Sequence, residues 1–91
     1  MIQNFSDDEA EAIFHGLRSR RLPGDIQRTA KRKLMMLDAA VVPEELRSPP
    51  GNHFEALSGR TGYYSIRIND QWRITFAWKH GATNVKIEDY H

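Results

Sequence analysis

The sequence predicts an α+β domain in which two N-terminal helices pack on one face of a small, mainly antiparallel sheet. Three observations lead there. Apolar residues recur at helical spacing through the first 41 positions. The segment Ser48-Pro49-Pro50-Gly51-Asn52 then interrupts all regular patterning. Beyond it, apolar and polar residues alternate with period two.

Each element has its own signal. Ile2 to Phe5 reads as a short strand ahead of a helix capped by Ser6, with Glu9 completing a capping box. Ala10, Ile13, Phe14 and Leu17 form the helix's apolar stripe, and Asp7, Asp8, Glu9 and Glu11 favour its positive N-terminal end. Pro23-Gly24 marks a loop, and Asp25 is a suitable cap for a second helix with Ile26, Ala30, Leu34, Leu37 and Val41 on one face. Pro43 to Leu46 suits a single turn, after which Ser48 to Asn52 forms a loop that excludes regular structure. Strands are expected at Phe54–Leu57, Tyr63–Ile68, Trp72–Trp78 and Asn84–Tyr90, separated by turns rich in Gly, Asn and Asp.

Strand parity separates two faces. Ile66, Ile68, Trp72, Ile74, Phe76, Val85 and Ile87 share the apolar one, which faces the helices. The other collects Arg67, Arg73, Thr75, Lys86, Glu88 and Tyr90 and is expected to be open and partly cationic. Glu55 and His53, two residues apart, are expected on one strand face beside them.

The 91 residues, 40% hydrophobic and 27% charged, suit a single globular domain spanning 1–91. No apolar run approaches the roughly 20 residues that cross a bilayer, and no secretory leader is visible, so a cytoplasmic protein is expected. The absence of cysteine removes disulfide scaffolds, zinc ribbons and thiol nucleophiles. Four scattered histidines give no metal-ligand spacing, and neither a Walker loop nor a G-x-G-x-x-G occurs, so neither metal nor cofactor is implied.

The net charge of +1 hides a polarity: residues 18–33 carry seven basic side chains against Asp25 alone. Such a concentration points to a polyanion or an acidic protein partner. Arg28, Lys31 and Arg32 on the second helix are candidate contacts to an RNA backbone. The polar sheet face holds parts suited to cleaving RNA through its own 2′-hydroxyl: a proton acceptor, a proton donor and a cation for the phosphorane. Arg73 suits the cationic role, because its planar fork makes two charge-assisted bonds to phosphate, unless it is consumed by a pair with Glu88.

These residues also carry a family resemblance. The run Gly62-Tyr63-Tyr64-Ser65-Ile66-Arg67-Ile68-Asn69-Asp70-Gln71-Trp72-Arg73-Ile74-Thr75-Phe76, with a terminal Glu88-Asp89-Tyr90-His91, resembles the HigB branch of the RelE-like toxins of bacterial type II toxin–antitoxin systems. The Arg47–Asn52 loop and the Leu57-Ser58-Gly59 turn look like the GraT subgroup. The resemblance implies a microbial-RNase-like fold and ribosome-dependent cleavage of mRNA. It also implies inhibition by a HigA-type helix-turn-helix antitoxin, and operator DNA binding through the resulting complex. It places the catalytic arginine on Arg73 and the C-terminal pair on Tyr90 and His91, with His91 moving a proton and Tyr90 orienting base or phosphate. The sequence departs from the family's His-x-x-Lys-Gly pattern: Glu55 stands at the His position and Ser58 at the Lys position. Glu55 becomes a candidate proton acceptor, while Arg67, Lys86 and His53 are candidate RNA contacts.

Overall fold

The computed structural model describes residues 1–89. Helices α1 (Asp8–Phe14) and α2 (Gly24–Ala39) precede two 3-10 turns, Pro43–Arg47 and Pro50–Asn52. Four strands follow, β1 (Glu55–Ala56), β2 (Tyr63–Arg67), β3 (Trp72–Trp78) and β4 (Ala82–Asp89). They form an antiparallel meander in the order β1-β2-β3-β4. The expected α+β architecture is the observed one.

The core lies between the helices and the apolar sheet face. Ile66, Ile74 and Ile87 stand opposite one another across β2, β3 and β4. With Phe76 and Val85 they pack in one cluster with Ala10, Ile13, Ile26, Ala30, Leu34 and Leu37. Trp72 and Trp78 lie against its margin. No helix among the described residues is long and apolar enough to cross a membrane.

Several local expectations are corrected. Asp7 rather than Ser6 caps α1, accepting from the Glu9 amide at 3.0 Å with one carboxylate oxygen and from the Ile87 amide at 3.1 Å with the other. A carboxylate can serve helix and strand together, which a single hydroxyl aimed at one donor does not. Ser6 Oγ instead donates to the Asn84 carbonyl. The expected first strand is a single parallel bridge, Phe5 to Val85, flanked by hydrogen bonds that lay the N-terminus along the edge of β4.

Helix α1 stops at Phe14, and Gly16 at φ +81° turns the chain, so Leu17 leaves the stripe and is 65% exposed. Helix α2 begins at Gly24 after Pro23, which places Asp25 in the first turn instead of at the cap. It ends at Ala39, and Val41 is 79% exposed because Ala40 is already extended ahead of Pro43. The Ser48–Asn52 segment, expected to hold no regular structure, contains the Pro50–Asn52 turn. The Asn52 side chain holds it by donating to the Leu46 and Ser48 carbonyls. Strand β4 starts at Ala82, two residues early. Asn84 at φ +53° lies in a bulge that gives β4 one extra residue against Thr75–Ala77.

Candidate active site

The polar sheet face is built from two rows of opposed residues. Glu55, Ser65, Thr75 and Lys86 form one, running from β1 to β4. Arg67, Arg73 and Glu88 form the other, across β2 to β4. Strand alternation places both rows on the side away from the helices.

Arg73 is the centre. Its residue is 8% exposed, so the expectation of an open face fails at this point. Nη1 donates to the His53 carbonyl at 3.0 Å and to Ser65 Oγ at 3.1 Å. Nη2 lies 3.6 Å from Glu55 Oε1. The segment leading into β1 folds over the sheet and covers the root of the guanidinium, while Glu55 remains 44% exposed at the rim. A fork held by two neutral oxygens on one nitrogen keeps a fixed orientation and presents its charge toward the carboxylate.

The expected pairing of Arg73 with Glu88 is not made, although the two residues stand opposite each other. Glu88 receives Arg60 Nη1 at 2.9 Å and the Thr75 hydroxyl instead. Burial pushes the Glu88 carboxyl upward, but the hydrogen bonds from Arg60 and Thr75 outweigh it and hold it below the usual carboxylate range. The same pairing raises the Arg60 guanidinium, which also lies 5.8 Å from the centre of the Tyr63 ring. A recess of about 230 Å³ beside Glu55 is lined by Ala56, Leu57, Ser58 and Arg60.

Other expected site residues fall differently. Arg67 shares the face with Arg73, but its guanidinium is paired with Asp70. Lys86 is exposed on the same face beside Thr75. His53 is not in the strand with Glu55 as expected. It caps the preceding turn at φ +45°, and its backbone carbonyl, not its ring, holds Arg73. Arg28, Lys31 and Arg32 are exposed on α2 and take no part in the core cluster. Tyr90 and His91 lie outside the described residues. Among the described residues, no group of three or more His, Asp or Glu is placed to hold a metal ion.

Three contributors went unnoticed in the sequence. Ser65 carries the site as a hydrogen-bond acceptor. Arg60 sits in a turn whose composition signals only a connection. Lys33 is buried on α2, and its ammonium donates to the Arg67 carbonyl. Burial, then the charges of Arg32, Arg67 and Arg73, lower its pKa. Its position seven residues after Ile26 puts it on the apolar stripe, the one signal that distinguished it from its basic neighbours.

Comparison with known proteins gives the family. Residues 3–91 match the family described as RelE-like toxin of type II toxin–antitoxin system HigB. Toxin HigB-1 of Vibrio cholerae is 42% identical over 93 residues, which covers 100% of this chain and 98% of that protein. Endoribonuclease HigB of Proteus vulgaris is 32% identical over 93 residues, covering 100% of each. With its two-helix, four-strand fold and a full-length match, the chain belongs to the HigB-like toxins of the RelE family, the toxin half of a type II toxin–antitoxin system whose partner is an antitoxin.

Proposed function

We propose that this chain is a ribosome-dependent endoribonuclease that cleaves mRNA and so inhibits translation in the cytoplasm. The observation that carries the reading is the Arg73 fork, anchored through Nη1 and held 3.6 Å from Glu55 through Nη2 on the polar face. The name of the Proteus vulgaris relative, an endoribonuclease, supports it.

In this reading the Glu55 carboxylate takes the proton of a ribose 2′-hydroxyl, and the 2′-oxygen bonds to the adjacent phosphorus. Arg73 meets the charge that develops on the phosphorane oxygens. The bond from phosphorus to the 5′-oxygen breaks, and His91 supplies the proton that the leaving oxygen needs. The products are a 2′,3′-cyclic phosphate and a 5′-hydroxyl. Tyr90 orients the base or phosphate. The roles of Tyr90 and His91 rest on the family resemblance of the terminal Asp-Tyr-His. Arg67, Lys86 and His53 line the rim toward RNA. No cofactor enters the scheme. The antitoxin is of the HigA helix-turn-helix type, and the complex binds operator DNA through it.

The test is translation of a reporter mRNA with the wild-type protein and with Arg73→Ala, read by primer extension. New 5′ ends with the wild type alone are expected. Equal cleavage by two folded proteins overturns the site. A second reading, a toxin-like module that binds antitoxin with little or no cleavage, is favoured by one observation: Glu55 already sits against Arg73, where a phosphate would bind. Intact message alongside tight antitoxin binding selects that reading.

A further inference from the structure

Arg60 takes no part in the core or in the cleavage scheme, yet its guanidinium is fixed in place. Nη1 donates to Glu88 Oε2 at 2.9 Å and Nη2 to Oε1 at 3.4 Å, so both terminal nitrogens face one carboxylate. The Thr75 hydroxyl holds that carboxylate in turn. The guanidinium carbon lies over the Tyr63 ring, 5.8 Å from its centre. Tyr63 alternates with Ser65 and Arg67 on the polar face of β2, outside the core against which its neighbour Tyr64 packs. Its hydroxyl accepts from Asn84 Nδ2 at 3.0 Å, so the bulge in β4 pins the far end of the ring. The Arg60 side chain is nevertheless 48% exposed, and it forms one wall of the recess beside Glu55. An ion pair this exposed adds little to folding.

We propose that Arg60, mounted on Tyr63, is a stacking platform for one unpaired base of the RNA, a subsite that deepens the nuclease reading and rests on it for its ligand. The way Arg60 is held decides between base and phosphate. A phosphate takes the fork of a guanidinium along its edge, and here Glu88 already occupies that edge and offsets its charge. What the pair leaves to a ligand is the flat side of the guanidinium, a surface that an unstacked base covers well. Every base has such a face, so the platform holds RNA without reading its sequence. Fixing the plane in advance on Glu88 and Tyr63 also spares the entropy of ordering a long side chain on binding. The position suits the chemistry. Glu88 stands opposite Arg73 on the neighbouring strand, and the recess extends from Arg60 to Glu55. A base on Arg60 therefore brings its ribose toward Glu55 and the adjoining phosphate toward Arg73, 3.6 Å beyond. Glu88 acts as a positioning residue, touching Arg60 and not the RNA.

The test is magnetic resonance on the isotope-labelled full chain, titrated with adenosine monophosphate and, separately, with ribose 5-phosphate, which carries the same anion without a base. Adenosine monophosphate is expected to shift the Arg60 Nε–H and Tyr63 ring signals, and ribose 5-phosphate to leave them in place. Equal shifts with both probes, or none with adenosine monophosphate, overturn the proposal. Followed at Tyr63, Arg60→Ala and Arg60→Lys are each expected to weaken the binding by about fivefold or more, and Arg60→Trp, which restores a plane without the charge, to recover it. Arg60→Lys binding as the wild type does assigns the position to charge and also overturns the platform. Glu88→Gln is expected to shrink the shift at Arg60 with a melting temperature within a few degrees of the wild type; a variant that unfolds leaves the two-probe comparison on the wild type to decide. In cleavage on programmed ribosomes, Arg60→Ala is expected to raise the half-saturating ribosome concentration by about fivefold or more, well beyond any change in the plateau rate. An unchanged half-saturation overturns the placement beside the reacting ribose. Binding is read without cleavage, so the two readings fail separately. Base-dependent shifts in a wild-type protein that leaves message intact sink the nuclease reading and keep the platform as a nucleotide site, whereas cleavage without those shifts sinks the platform alone.

Discussion

Replacing Glu55 by Gln separates two opposed effects of one carboxylate. In the proposed role of proton acceptor, Glu55 would accelerate cleavage by about 10²- to 10⁴-fold, the range for a positioned general base. As an anion facing Arg73, it also competes with phosphate. At the 3.6 Å separation the Coulomb attraction is about 5 kcal/mol at an effective dielectric of 20. Glu55 is 44% exposed, so solvent reduces the net worth of the pair to about 1 kcal/mol, or roughly fivefold in phosphate affinity. The loss therefore outweighs the gain. Glu55→Gln is expected to cleave at least tenfold more slowly in a single-turnover assay on programmed ribosomes, with a melting temperature within a few degrees of the wild type. Cleavage equal to or faster than the wild type would refute the assignment and leave Glu55 as a competitor for the phosphate position.

Other expectations concern the fold. Gly81 adopts φ +144°, and an added Cβ would lie 2.2 Å from the Met1 carbonyl oxygen, so Gly81→Ala should cost about 2 kcal/mol and lower the melting temperature by roughly 10 °C. The folded state holds the Glu88 pKa below its ordinary value, so Glu88 contributes stability above pH 4.5 that is lost as pH falls through the folded value. Urea titrations at pH 3 to 6 should show a flatter acid limb for Glu88→Gln. Lys33 has its pKa lowered, so between that folded value and 10.5 the unfolded chain binds more protons and stability rises with pH. Lys33→Met should reduce the rise in urea midpoint between pH 7 and pH 10. Arg73→Lys keeps the charge but cannot span the His53 carbonyl, Ser65 and Glu55 together, and should lower cleavage about 10²-fold with antitoxin binding intact.

The strands were legible because burial on one face imposes a period of two that few other arrangements share. Ile66, Ile74 and Ile87 appear in the sequence as they meet in the sheet. Helix ends were less legible. Ser6 has the composition of a cap, yet Asp7 wins because its second oxygen also serves Ile87, a partner 80 residues away that no local pattern reveals. The candidate site was half legible. Arg73 and Glu55 were expected near one another and lie 3.6 Å apart, but the contacts that orient Arg73 come from a backbone carbonyl and a small hydroxyl, groups without a sequence signature. Glu88, read as a possible partner of Arg73, is captured by Arg60 from a turn whose conformation places it there. Charge counting found the basic segment without distinguishing the exposed Arg32 from its buried neighbour Lys33.

The two halves of the site are mounted very differently. Arg73 stands on the second-longest strand, inside the sheet, whereas Glu55 belongs to a two-residue ladder at its margin. Exchanges at positions 55 to 58 thus leave the hydrophobic interior untouched, and the fold imposes little penalty on altering the proposed proton acceptor there. A substitution at this border therefore changes the group facing Arg73 while the guanidinium stays anchored inside the sheet.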